Sequence, residues 1–511
     1  MVVVRWGNGG GDCSPRWGVS VVVAAVLVAV GSALAGADAG EVTVAGALPR
    51  ILHAHVGKVH RPRPPHFSPP KIATDGALSQ VSPAGTSRPS RVFHVTEFGA
   101  DPTGTKDSTQ AISDAVAGAM KAASPGRTLF TGIADLGGAE IHLDGGVYIL
   151  RRPLRLPPSI GNLKIHGGSL VAADDFPAEG YLIELSAAAT NTSSSQLNYE
   201  YITLRDLVLD ANYRGGGAAI VNSLRTTVDN CYVIHFATDG VLVRGGHETF
   251  IRSSFLGQHI TAGGDPAEKD FSGVAINLAG NDNAVTDVAI FSAATGVLVT
   301  GQANILTGVH CYNKATGFGG VGIHLRLPGL TQTRIIGCYL DFTGIVAEDP
   351  VELLVAGSFF LGDANIVLRS VNGVVSGVNV VDNMFSGSGK GVEIVRLDES
   401  TRRFTAVEQV VVGRNAVVGM KERATFAKGV ASGEGRSWVV DFSSLLLFPD
   451  RIESLQYTLA VTGGAADAPP PVPFTAHGVR NVSGNRVVVE SQVPVSATVY
   501  ASVDQFLGAS G

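Results

Sequence analysis

Short apolar triplets that follow glycine recur through the middle of this chain, and they restrict its fold more than any other feature. Gly240-Val-Leu-Val243, Gly296-Val-Leu-Val299 and Gly322-Ile-His-Leu325 are the clearest, and Val274-Ala-Ile-Asn-Leu278 is a related element. With Leu242, Ile276, Leu298 and His324 as markers, the steps are 34, 22 and 26 residues. A second series interleaves with them: Ile202-Thr-Leu204, Thr227-Val-Asp-Asn-Cys231, Phe250-Ile-Arg252, Ala284-Val-Thr286 and Arg334-Ile-Ile336. Strands of three to five residues cannot bury a face alone and must stack on copies one period away. Glycine supplies 64 of 511 residues, well above the usual ~7 %. With Asn and Asp it fills the tight turns that β-branched residues avoid. Propeller blades need about 40–50 residues each, more than these steps allow. The spacing predicts an all-β fold, a right-handed parallel β-helix over 92–400.

Composition closes off other classes. Charged residues are 16 % and apolar residues 45 %, which excludes a disordered chain and a coiled coil. A net charge of −6 lacks the basic excess of a nucleic-acid binder. At the start, Arg5 and Arg16 precede the apolar run Val19–Val30, and Ala-Leu-Ala follows at 33–35. That order reads as a secretory signal peptide over 1–35, because the run is shorter than the ~18–20 residues needed to span a bilayer. The expectation is a secreted, extracellular monomer with no membrane association after signal removal. Residues 36–91 read as a flexible leader, since the prolines of Arg61-Pro-Arg-Pro-Pro65 cannot join a sheet interior. Asp107-Ser-Thr-Gln110 reads as a helix start, with Ala111–Ala122 a short helical cap. Over 401–511 the repeat fades into terminal coils and longer strands at Ser437–Phe442, Leu455–Ala460, Arg486–Glu490 and Ala497–Val503. These predict a small C-terminal antiparallel module that covers the open end of the solenoid. Cys231, Cys311 and Cys338 allow at most one disulfide and lack zinc spacing, so they read as small buried apolar residues. Asn191 and Asn481 head glycosylation sequons.

Chemistry needs ionisable groups gathered on this scaffold. Coils stack at about 4.8 Å, so carboxylates one or two coils apart lie roughly 5 to 10 Å from each other, a range that covers the ~6.5–9.5 Å used by inverting glycoside hydrolases. Asp239 stands directly before a strand. The polar insertion Gln258–Asp270 follows one coil later and offers His259, Asp265, Glu268 and Asp270. The expected catalytic carboxylates are Asp239 and Asp270, with Asp265 as the substitute. His259, His310, Lys314 and Arg326 are the candidates for holding substrate carboxylates, Arg326 being suited to bidentate pairing. Asp341, Glu348, Asp349 and Asp363 either extend the groove or cap turns. No metal or other cofactor is expected.

Phe98-Gly-Ala-Asp-Pro-Thr-Gly-Thr-Lys-Asp-Ser-Thr-Gln-Ala-Ile112 resembles the opening motif of the pectate-lyase superfamily of β-helices. Tyr201–Gly215, Gly246–Ile251, Gly257–Asp265 and Asn313–Gly320 resemble the plant quartet-type polygalacturonases. The likeness covers about 92–505. It implies a family 28-like glycoside hydrolase acting on pectic homogalacturonan in the cell wall, a class tied to separating pollen from its tetrad. The broader family carries Asn-Thr-Asp, Asp-Asp, Gly-His-Gly and Arg-Ile-Lys motifs. Here Ala237-Thr238-Asp239 matches the first apart from its Ala, and Phe271-Ser272-Gly273 stands where the Asp pair belongs, with Asp270 beside it. Ala294-Thr295-Gly296 replaces the histidine motif, and Gly322–Arg326 stands near the last. Two other readings remain: a β-helix that binds pectin without cutting it, and a lyase using Ca²⁺ and an arginine base.

Overall fold

The computed structural model of the chain describes residues 91–130, 132–186, 196–259, 272–312, 320–462 and 475–506. The expected signal segment and nearly all of the leader lie outside them, as do Asn191, Asp265, Glu268, Asp270 and Lys314. The described residues wind into a parallel β-helix whose coils each carry three strands. Sheet I runs through Gly216–Leu224, Asp239–His247, Val274–Asn281, Thr295–Val299, Val321–Leu325, Ile345–Glu348, Ile366–Arg369 and Val395–Asp398. Sheet II runs from Thr227–Asp229 through Phe250–Arg252, Ala284–Thr286 and Ile305–Thr307 to Val411–Gly413. Sheet III runs from Tyr232–Ile234 through Phe255–Gly257, Ala289–Phe291, His310–Tyr312 and Tyr339–Asp341 to Ala416–Val418.

The sequence reading found sheets I and II and missed sheet III. Its outward positions are largely aromatic (Tyr232, Phe255, Phe291, Tyr312, Tyr339 and Phe359). They erase the apolar–polar alternation by which a half-buried strand is recognised. One marker was also off by a residue. Leu242 pairs with Asn277, then Leu298 and His324, whereas Ile276 pairs with Val241, Val297 and Ile323. Val241, Ile276, Val297 and Ile323 are fully buried, so the Ile276 row faces the core and the Asn277 row faces out. A one-residue slip exchanges the two faces.

The corner between sheets II and III is one left-handed residue on each coil. Asn230, Ser253, Asp287, Gly308, Gly337, Gly357, Asp382 and Arg414 sit there with φ between 49° and 63°. Because each coil turns at the same residue, inward side chains stack on their own kind. Val233, Leu256, Ile290, Cys311, Leu340, Phe360 and Phe385 form one such column, with Phe360 stacked on Phe385 at 4.4 Å. A polar ladder runs inside another corner. Asn304 Oδ1 accepts from the Asn283 amide (3.0 Å) and side chain (3.1 Å), and Asn304 Nδ2 donates to the Gly301 (2.8 Å) and Gly280 (3.2 Å) carbonyls.

Helix Thr109–Lys121 covers the N-terminal end, burying Ile112, Ala115, Val116 and Ala119 on one stripe. Ser108 is its N-cap residue, and the Asp107 carboxylate accepts the Thr109 N–H at 3.0 Å. Parallel coils continue to Ala416–Val418, beyond residue 400. Phe426–Asp441, Ser454–Val461, His477–Ser483 and Arg486–Asp504 then form the antiparallel module. Trp438, Val440, Phe442, Val487, Val489 and Val499 pack its separate core. Asn481 lies on its exposed strand His477–Ser483. The three described cysteines are free and buried. Burial pushes the Cys231 thiol up to about 12 and that of Cys338 to about 11. Among the described residues no helix is long and apolar enough to cross a membrane.

Asn304→Ala removes four bonds and strands the buried Asn283 amide. The expected cost is about 3 kcal/mol, read as a lower urea midpoint; an unchanged midpoint would show that the ladder is dispensable.

Candidate active site

Asp239 opens a sheet I strand at the corner where sheet III turns into sheet I. Its Oδ2 accepts from the Tyr181 hydroxyl at 2.6 Å, and its Oδ1 accepts from Asn277 Nδ2 at 3.1 Å. Tyr181 comes from two coils before. Its strand pairs with Gly216, and it is across Gly216 that the phenol reaches Asp239. A Cβ at Gly216 would stand 2.4 Å from the Tyr181 ring and 2.5 Å from the Asp239 carbonyl, so only glycine leaves the passage open. Burial, then the Asp239 carboxylate, hold the Tyr181 phenol far above its ordinary range. Tyr181 is therefore a permanent donor, and both Asp239 oxygens accept a hydrogen bond.

The next coil brings the polar insertion to the same corner. Gln258 ties its two ends together: Oε1 accepts the Ser272 N–H at 2.9 Å, and Nε2 bonds the Ser272 hydroxyl and the Phe236 carbonyl. The Val274 N–H donates to the Thr238 carbonyl at 2.8 Å. Both ends of segment 260–271 are thus anchored beside Thr238-Asp239. Two coils later, residues 313–319 stand in the sequence between the sheet III strand His310–Tyr312 and the sheet I strand Val321–Leu325. Between them Ser292-Ala293-Ala294 makes the turn in three residues.

A second polar group stands on the coil before Asp239. His235 Nδ1 pairs with Asp210 at 2.8 Å, Tyr213 packs on His235 at 4.7 Å, and the Tyr213 hydroxyl lies 3.3 Å from His259 Nδ1. His259 is buried in this cluster. Asp210, Tyr213 and His235 were not singled out from sequence, although the Tyr201–Gly215 stretch that carries the resemblance contains two of them.

His310 lies on sheet III, stacked on Tyr339 at 4.3 Å. Its Nε2 and the Asp341 Oδ1 one coil on are buried without a hydrogen-bond partner among the described residues. Burial lowers the His310 pKa and raises that of Asp341. Arg326 is exposed at the far end of its sheet I strand. It is three coils and five residues from Asp239, roughly 20 Å at ~4.8 Å per coil and ~3.3 Å per residue. The structure does not bring these two together. Asp349 accepts the amides of residues 371 to 374, and Asp363 binds Ser388, so both cap turns. Glu348 pairs with His324 (3.1 Å) and Arg369 (3.4 Å). A groove of about 470 Å³ on sheet I is lined by Val321, Val346, Val367, Arg369 and Arg396, with Asp363 at its side. Its two arginines went unnoticed in the sequence, because only register places residues 369 and 396 on neighbouring strands.

Comparison with known proteins decides the family. Polygalacturonase QRT3 of Arabidopsis thaliana is 59 % identical over 417 residues, covering 81 % of this chain and 84 % of that protein. The chain belongs to the polygalacturonase family. No family model matches the sequence. Among solved structures, ORF18 of Geobacillus virus E2 superposes with a TM-score of 0.52 at 10 % identity over 79 % of this chain and 77 % of that one, a likeness of fold. PfbA, a surface adhesin of Streptococcus pneumoniae, gives 0.47 at 15 % identity over 64 % and 84 %. Within the family pattern, Asp239 is the motif residue that the geometry sets on the outer face with ordered partners. Thr295, which stands in the histidine motif, lies in register with Asp239 two strands away.

The raised pKa of Asp341 has a stability consequence. The unfolded chain ionises this group at lower pH than the native state, so the native state bears the cost once pH rises through the ordinary carboxylate range. Asp341→Asn should raise Tm by about 1–2 °C at pH 7 and leave it unchanged at pH 3. Equal melting curves at pH 7 would show that the carboxylate is not penalised.

Proposed function

We propose that this protein is a secreted hydrolase of α-1,4-linked galacturonan in the plant cell wall, including the walls that hold pollen tetrads together. The observation that carries the reading is Asp239: a carboxylate on the outer sheet face with both oxygens accepting, beside the anchored ends of a segment that contains Asp265 and Asp270. The 59 % identity to a named polygalacturonase supports the substrate class. In an inverting reaction one carboxyl group protonates the leaving oxygen while a carboxylate activates water on the opposite face. Asp239, an acceptor at both oxygens, suits the base. Asp270, or Asp265 in its place, supplies the acid. Arg396, in the sheet I groove, suits a substrate carboxylate, which a planar guanidinium can bind through two hydrogen bonds; Arg369 beside it already pairs with Glu348 and Asp398.

One observation favours a second reading, binding without cleavage: the histidine motif is replaced by Ala294-Thr295-Gly296. Incubating the purified protein with polygalacturonate separates the readings. Hydrolysis gives new reducing ends, no ultraviolet-absorbing unsaturated product and no loss on adding a chelator. Unsaturated product would mean a lyase, and unchanged viscosity with no new reducing ends would leave a binder. Asp239→Asn and Asp270→Asn should each lower kcat by about 10²–10⁴ without altering the circular dichroism spectrum; full activity in either variant moves the site elsewhere.

Tyr181→Phe removes one of the two donors that position the Asp239 carboxylate. Activity on polygalacturonate should fall by about 10-fold or more as the carboxylate loses its placement, with an unchanged circular dichroism spectrum. Full activity would show that Tyr181 does not position a reacting group.

A further inference from the structure

The other end of the solenoid carries a group of side chains that hydrolysis does not use. His94, His142 and His166 stand in register on three adjacent parallel strands, Val92–His94, Ala134–His142 and Ile160–Ala172. Their rings meet edge to face at 5.3 Å and 4.7 Å. Asp144, on the turn after the second strand with φ 53°, points back at the first two. Its Oδ1 lies 2.5 Å from His94 Nδ1 and 2.7 Å from His142 Nδ1, and its Oδ2 accepts from Thr96 Oγ1 at 2.9 Å. His142 Nδ1 also accepts the Asp144 N–H at 3.2 Å. A nitrogen that accepts presents a lone pair, and a lone pair facing a carboxylate at 2.7 Å calls for a cation between them. One proton can sit on one such contact, but two imidazole nitrogens and a carboxylate oxygen converge here, all within 4.8 Å of one another.

We propose that His94, His142 and Asp144 bind a divalent transition-metal cation of the zinc type. Two imidazoles and one carboxylate are a zinc donor set, with the fourth position left to water, and imidazole sites favour late first-row metals over Mg²⁺ or Ca²⁺. Bonds of ~2.0–2.1 Å in a tetrahedron set donors about 3.3 Å apart, so each of the two carboxylate–imidazole contacts needs to lengthen by less than about 1 Å. His94 is 43 % exposed and Asp144 22 %, so both can yield, and the site opens to solvent. The Thr96 hydroxyl steadies the carboxylate from behind, the outer-partner role that such ligands usually need. The other charged groups nearby are Glu97, Glu140, Lys164 and His166. Glu140 Oε2 lies 3.0 Å from Lys164 Nζ and 2.9 Å from His166 Nε2. A cation at this place clips the first strand of the solenoid to the next coil.

The test uses the full secreted protein, free of any histidine tag and stripped with a chelator, then titrated with Zn²⁺ or Co²⁺. The expected result is one equivalent bound, a visible Co²⁺ ligand-field band, and a Tm that rises with metal concentration as mass action requires. All three should fade below about pH 6 as the imidazoles protonate. His142→Gln and Asp144→Asn, with unchanged circular dichroism, should each weaken binding by at least the roughly 10–100-fold that loss of an outer partner costs. Substituting His53, His55, His60 and His66 of the leader should not weaken it. No bound equivalent, or full affinity in His142→Gln, overturns the proposal. A failure here leaves the hydrolase reading untouched, since its own test reads reducing ends.

Discussion

In-register hydrogen bonding between parallel coils is the constraint on which the rest of this structure depends. A parallel ladder pairs each residue with one partner above and one below, so a coil can add to the stack only if it turns at the same place as its neighbours. The left-handed residue between sheets II and III meets this demand. Asn, Asp, Ser and Gly fill most of those positions, and Arg414 is the exception. Once the corners coincide, inward side chains must form columns of like shape. The Phe360–Phe385 stack and the Asn283–Asn304 ladder are two forms of that rule.

The same constraint decides where chemistry can be placed. The II–III corner is fixed at a single bend, whereas the III–I corner varies from three residues at Ser292–Ala294 to the long segments 260–271 and 313–319. Insertions are tolerated there because the flanking strands keep their register. The Val274 amide still bonds Thr238 across the base of the longer segment. A carboxylate at this corner combines a rigid backbone, held by strand pairing, with a neighbour whose length is free to vary. Asp239 occupies that position.

How much of this was legible in the sequence depends on whether a feature needs the register. Glycine-led triplets gave sheet I and the coil class, and the 34-residue step gave the insertion. Asp239 was found because it precedes a strand in a motif. Ile276 was matched to Leu242 because their hydropathies agree, while the residue in register with Leu242, Asn277, is polar. Sheet III was hidden by its aromatic outer face. Tyr181 lies 58 residues from Asp239, and His94 lies 48 from His142. No local pattern announces such pairs, because they meet only after coils of unequal length have been stacked.

Under the proposed reaction, the split between rigid strand and inserted segment also bears on stereochemistry. The separation of the two carboxyl groups decides whether water fits between them, about 6.5–9.5 Å for inversion against ~5–5.5 Å for a covalent intermediate. Two acids on adjacent strands would sit near the coil pitch of ~4.8 Å, which is too close for water. Val274, the strand partner of Asp239, supplies no carboxylate, so the pitch does not impose that short distance here. Drawing the acid from segment 260–271 frees the separation from the pitch. Tyr181 and Asn277 meanwhile hold both Asp239 oxygens with no help from the segment, so a rearrangement there would alter the acid and leave the base in place.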